Sequence, residues 1–147
     1  MDRKELFSYF EERFGIDRKE FENLEFYEKS KGRIYSVNKP AFKLLESVNR
    51  PISAGLLFAR MSAAFKPTSV IIQIFGRYAK KNILDLDVEE AKTYISGLDL
   101  EMQNTGNCTD GYVIVRYNDY SLGIGLLKAG KLKNMLQKGK RTNVKFL

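Results

Sequence analysis

The run GYVIVRYNDYSLGIGLL, residues 111–127, constrains the fold of this chain more than any other stretch. Val113 and Val115 alternate with Ile114 and Arg116, the period-two rhythm of a strand. Asn118-Asp119 turns the chain, and Leu122 to Leu127 runs back as a second strand.

Helices and strands mix around this hairpin. Phe7, Phe10 and Phe14, with Leu6 alongside, recur at helical spacing from Asp2 to Phe14, and Gly15 stops that helix. Phe26 and Tyr27, a polar turn at Lys31-Gly32, and then Ile34, Tyr35 and Val37 read as a β-hairpin. Pro40 opens a short helix with Ala41, Leu44, Leu45 and Val48 on one face, broken at Arg50-Pro51. ISAGLLFARM is a strand in which Gly55 marks a bulge or a close approach. Pro67 suits the first turn of a core helix carrying Ile71, Ile74, Phe75 and Tyr78. Asp87 and Glu90 resemble a capping box, with Val88, Ala91 and Ile95 as the buried stripe behind it and Gly97 as the stop. NTGNCTDG, residues 104–111, is a loop, and Val144 and Phe146 make a final short strand. This order predicts an α+β chain: an N-terminal α/β module over residues 1–50, then a strand-rich unit with inserted helices over 51–147.

Charge is distributed as unevenly as secondary structure is mixed. The net charge is +7 over 147 residues. Residues 1–50 carry 11 basic and 10 acidic groups and residues 51–110 carry 6 and 7, so those regions cancel. Residues 111–147 carry 8 basic groups against Asp119 alone. A surface built only for solubility mixes its signs. Lys128, Lys131, Lys133, Lys138, Lys140 and Arg141 are interleaved with Gly123, Gly125, Gly130 and Gly139. Lysines without acidic neighbours attract phosphates, glycines let a backbone approach another surface, and Asn134 offers a donor to a base or sugar. Lys66 and Arg60 extend this basic surface or serve solubility; Arg116 either faces RNA or pairs with Asp110 or Asp119. Tyr112, Tyr117 and Tyr120 suit stacking on an unpaired base or, more often in strands, cross-strand packing.

Several chemistries find no residues to carry them. The chain has no histidine, which removes the commonest general base and metal ligand. No GxGxxG or GxxxxGK[ST] accompanies Gly123 and Gly125. Glu11-Glu12 and Glu89-Glu90 are adjacent on helices and point apart, so neither makes an acid/base dyad. Cys108 is the single cysteine, with no Pro-Cys or Thr-Cys-Ser setting; it reads as structural or incidental, and a reducing compartment fits it. No signal peptide opens the chain and no apolar run reaches membrane-spanning length. A cytoplasmic protein is expected, with no membrane partner, no metal and no cofactor.

FKPTSVIIQIF (65–75), DLDVEEAKTYISGLDL (85–100) and GYVIVRYNDYSLGIGLLKAGKLKNMLQKGKR (111–141) follow one another in that order. Together they resemble the C-terminal PUA-like domain of the RsmF-type, Sun-family RNA cytosine-C5 methyltransferases. YFEERFGI and the following Phe21 resemble the start of the same region. The resemblance covers most of the chain and implies a PUA-like β-pseudobarrel over 51–147 that contacts structured RNA. Lys66, Gly123, Gly125, Lys131, Lys133, Asn134, Lys138, Gly139 and Arg141 match the family phrase. Gln137 stands where the family usually has proline, and Ile124 where it often has an aromatic residue. The methyltransferase domain of the full enzymes has no counterpart here.

The expected function is non-catalytic binding of structured RNA, rRNA or tRNA, in RNA modification or ribosome assembly. A separate RNA-modifying enzyme is the protein partner this suggests. The expected contacts are Lys66, Arg116, Lys128, Lys131, Lys133, Asn134, Lys138, Lys140 and Arg141, with Gly123, Gly125 and Gly139 permitting close approach. Two readings of other classes stand beside it. A protein–protein adaptor requires an exposed apolar patch on the N-terminal module. A small nucleotide-dependent enzyme would use the Gly123–Lys133 loop.

Overall fold

Asp2 starts the first helix, α1 (Arg3–Phe14): its carboxylate accepts the Glu5 N–H while Glu5 accepts the Asp2 N–H. Gly15, in the left-handed conformation, ends it. The computed structural model describes residues 2–48 and 55–136. After a 3-10 turn (Arg18–Phe21) come β1 (Leu24–Ser30), β2 (Arg33–Asn38) and α2 (Lys39–Glu46). Then follow β3 (Leu56–Met61), β4 (Phe65–Pro67) and α3 (Ser69–Phe75), the last continuing into a 3-10 turn at Gly76–Tyr78. The remainder is β5 (Ile83–Asp85), α4 (Val88–Ile95), β6 (Leu100–Glu101), β7 (Gly111–Tyr117), β8 (Tyr120–Lys128) and β9 (Lys131–Asn134). No helix among the described residues is long and apolar enough to cross a membrane.

The strands form two sheets. The first is an antiparallel meander, β1-β2-β3-β4, drawing strands from both sides of residue 50. The second has the order β5-β7-β8-β9-β6; β5 lies parallel to β7 and the other pairs are antiparallel. The fold is therefore α+β, as its mixed periodicities predict.

Both faces of the second sheet are covered. Ile114 and Ile124, paired across β7 and β8, join a core that also contains Leu6, Phe10, Phe14, Phe21, Phe58 and Phe65. Phe10 is the hub of that core, with ring centroids 5.3 Å from Phe21 and 5.2 Å from Phe58, both edge-to-face. On the opposite face Val113, Val115, Leu127 and Leu132 pack with Ala91 and Tyr94 of α4. This is why Val113, Ile114 and Val115 are all buried, although one-sided burial would expose every second residue. Arg13 ties α1 to the second sheet: Nε donates to the Tyr112 carbonyl at 2.7 Å and the guanidinium also holds Thr109.

Several local expectations change. Pro67 belongs to β4, in register with Ala59, and the helix begins after it with Thr68 as the cap, accepting from the Ile71 N–H. Ile74 is exposed. On α4 the buried stripe is Ala91 and Tyr94, while Val88 and Ile95 are exposed, because an eight-residue helix resting on a sheet buries only a narrow face. On α2 none of the residues is fully buried; Leu44 is 69% exposed and Val48, just beyond the helix, 51%. Gly55 makes the expected close approach, to the Ser36 carbonyl. The final strand at Val144 and Phe146 lies outside the described residues.

Candidate nucleic-acid interface

Lys131 to Asn134, for which the sequence suggests no strand, forms β9, and its alternation sorts the basic stretch. Lys131 and Lys133 are exposed while Leu132 and Asn134 are buried. Asn134 is 2% exposed and fully engaged. Its amide donates to the Tyr94 carbonyl at 2.6 Å and the Leu98 carbonyl at 3.0 Å, and its side-chain oxygen accepts the Leu136 N–H at 2.9 Å. Expected as a donor to RNA, it instead anchors β9 to the end of α4.

The glycines of β8 also turn inward. A Cβ on Gly123 would lie 2.6 Å from the Tyr94 hydroxyl and 2.9 Å from Ser69 Oγ. One on Gly125 would collide with the Leu132 side chain. The close approach they permit is between β8 and its own core, and the Tyr94 hydroxyl uses it to donate to the Ile124 carbonyl at 2.8 Å.

Lys128 and Lys131 face each other across the tight Ala129-Gly130 turn, where both turn residues have positive φ (50° and 78°). On its other side Lys131 is in register with Glu101 of β6. Lys133 lies opposite Leu126. Lys131 thus has an acid in the adjacent strand, whereas beside Lys133 the carboxylate of Asp99, just before β6, accepts the Asn134 N–H at 2.8 Å and does not line the groove that Lys133 borders.

Lys133 instead borders a groove of about 550 Å³ between the two sheets. Among the described residues Arg60 of β3 and Lys66 of β4 join Lys133 in the cationic lining, and no acidic residue lines the groove. Leu57, Pro67, Val70, Met135 and Leu136 give it apolar walls. Arg60 and Lys66 are in register across β3 and β4. Burial pushes the half-buried Lys66 amine below its usual pKa, and the charges of Arg60 and Lys133 push in the same direction. Like charges so placed repel one another, and an anion among them would relieve that repulsion. The ion pairs among the described residues join Arg3 to Glu25, Arg18 to Glu11, Lys92 to Glu89 and Arg116 to Asp85. None of them uses the groove cations.

Arg116 is placed elsewhere. It pairs with Asp85, its register partner on the parallel strand β5, through Nε at 2.6 Å and Nη2 at 2.9 Å. Neither expected acid is the partner; Asp110 accepts the Ala129 N–H instead. Local spacing could not reveal Asp85, because parallel pairing joins residues far apart in the chain. Tyr112 and Tyr117 pack against the two cores, and Tyr120 is 72% exposed beside the Asn118-Asp119 turn. Cys108 is half-buried, directs its thiol to the Ile83 carbonyl at 3.2 Å, and is pushed up in pKa by burial, which keeps the thiol protonated. Lys138, Gly139, Lys140 and Arg141 lie outside the described residues.

Two family models match separate parts of the chain. Residues 81–142 match the family model for the Methyltransferase RsmF PUA domain. Residues 1–46 match a family of unknown function, DUF7122. No curated protein matches the chain. The second sheet and α4 therefore form a PUA-like pseudobarrel of the RsmF type. The hairpin β1–β2 with α1 and α2 lies within the second match, and β3, β4 and α3 lie between the two matches.

Proposed function

We propose, from the RsmF-type PUA domain at residues 81–142, that this protein binds structured RNA, rRNA or tRNA, without catalysing a reaction on it. A PUA domain implies RNA binding in general. The observation that carries the finer reading is the groove in which Arg60, Lys66 and Lys133 converge with no acid in its lining. Phosphate oxygens would neutralise those cations and release counterions, while Lys128 and Lys131 at the hairpin tip add a weaker contact. Asn134, Gly123 and Gly125 act as positioners, holding β9 so that Lys133 faces the groove. Lys138, Lys140 and Arg141, which lie outside the described residues, stand as proposed RNA contacts on the sequence alone. The protein holds the RNA, and modification chemistry or an assembly step is carried by another domain or protein.

Titration of labelled total tRNA and an rRNA fragment at several salt concentrations tests this. Binding that weakens with salt, and whose salt dependence flattens in a Lys66→Ala/Lys133→Ala variant, supports it. Binding unchanged by those substitutions removes the groove from the interface.

One observation favours a second reading. Leu44 and Val48 beside α2, with Leu56 at the start of β3, present exposed apolar side chains on the N-terminal part. Exposed apolar side chains of this kind suit a protein partner where they adjoin one another. If salt-sensitive RNA affinity is missing and a Leu44→Asp change abolishes capture of a defined protein, the adaptor reading replaces RNA binding.

A further inference from the structure

Register places three cations in one row across the first sheet. Arg33 on β2 pairs with Arg60 on β3, and Arg60 pairs with Lys66 on β4. Directly opposed residues share a face of the sheet, so all three side chains leave it on one side. The row begins at Ser30, opposite Arg33, and contains no acid. Like charges directly opposite each other destabilise a strand pair. This row contains two such contacts in succession, and none of the ion pairs among the described residues relieves either. Adjacent strands lie about 4.8 Å apart, so the row crosses roughly 10 Å before Lys66 delivers it into the groove beside Lys133.

We infer that the Arg33–Arg60–Lys66 row is a second RNA contact, a track for the phosphates of a single strand that ends in the groove between the sheets. The inference rests on the RNA-binding reading and gives the first sheet a part in it. A single strand fits for two reasons. The groove, about 550 Å³, is the size of a small-ligand site: a helix lays phosphates only along its cationic rim, while a splayed nucleotide can enter it. Its walls pair apolar side chains, Leu57, Val70 and Met135 among them, with the planar Arg60 guanidinium, a surface for a base face with phosphates held alongside. The track therefore favours RNA in which a structured stem continues into an unpaired extension.

The test compares a blunt RNA hairpin with the same hairpin carrying an unpaired six-nucleotide 3′ extension. Both are titrated across 50–300 mM salt with wild type, Arg33→Gln/Arg60→Gln, and a control, Lys92→Gln on α4. The extension should tighten wild-type binding and steepen its salt dependence. The double variant should lose that advantage, with the log–log slope for the extended RNA falling by about 1.4, or 0.7 for each lost contact to a single strand. Because Arg60 also lines the groove, the double variant should lose at most one contact to the blunt hairpin against two to the extended RNA, while the control variant and Arg33→Lys/Arg60→Lys should retain wild-type slopes on both. A double variant that keeps the full extension advantage overturns the track, as does one that weakens blunt and extended RNA equally. Wild type that binds neither RNA at 50 mM salt overturns the RNA reading itself. Arg33 and Arg60 are exposed, so matching thermal melts are expected and exclude misfolding as the cause.

Discussion

Lys131 and Lys133 stand two residues apart on one face of β9, yet their surroundings differ. Lys131 sits between Lys128 and Glu101 in the strand register, at the open tip of a hairpin. Lys133 faces a groove shared with Arg60 and Lys66, whose described lining holds no acid, Asp99 being turned to the Asn134 N–H. The field an anion meets depends on which strands are adjacent, not on how densely lysines follow one another in the chain. Asn134 sharpens the same contrast: one residue further along, the side chain is wholly internal.

The largest expected effect separates scaffold from surface. Asn134→Leu removes the partners of two carbonyls and one N–H at a buried strand end and should cost about 3 kcal/mol, at the upper end for stranding buried polar groups. Urea denaturation should show that loss, while Lys133→Ala leaves the midpoint within about 0.5 kcal/mol of wild type. An equally large loss in Lys133→Ala would erase the distinction between inward and outward residues of β9. Next comes the comparison of the two lysines themselves. Lys133→Ala should weaken RNA binding about fivefold at 0.1 M salt, the size of one lost phosphate contact, and Lys131→Ala should weaken it less than twofold. Glu101→Gln should then raise the contribution of Lys131, as read from the same pair of titrations. Equal effects at the two lysines would return the interface to the hairpin tip.

Smaller effects test the periphery. Arg116→Ala should leave RNA affinity unchanged and cost under about 1 kcal/mol, because its pair with Asp85 is largely exposed. The smallest concerns pH. The folded-state pKa of Lys66 lies below its ordinary value of 10.5, so between the two the unfolded chain holds more protons and stability rises with pH. The urea midpoint of wild type relative to Lys66→Met should therefore climb as pH approaches 10.5. A difference flat in pH would show that neither burial nor the charges of Arg60 and Lys133 lower the Lys66 pKa in the fold.

Much of the architecture is legible in local pattern. The capping boxes at Asp2 and Asp87, the left-handed stop at Gly15, and the turns at Lys31-Gly32 and Asn118-Asp119 depend on residues within a few positions of each other. The candidate site is only half legible. The last 37 residues announce a basic surface by count, but Arg33 is masked in the sequence by balanced charge around it. Asp85, the partner of Arg116, is separated from it by 31 residues.

The sequence by itself determined the mixture of helix and strand, the positions of most turns and caps, and the resemblance to an RsmF-type PUA region, because these rest on short-range periodicity and on order along the chain. Only the tertiary structure decided which basic residues meet. Strand register set Arg33 opposite Arg60 and Arg60 opposite Lys66, and the packing of the two sheets brought Lys133 to them. Burial on both faces of the second sheet turned Gly123, Gly125 and Asn134 inward. Electrostatic sites are made by proximity in space, and nothing local in a chain encodes which distant strand will lie beside it.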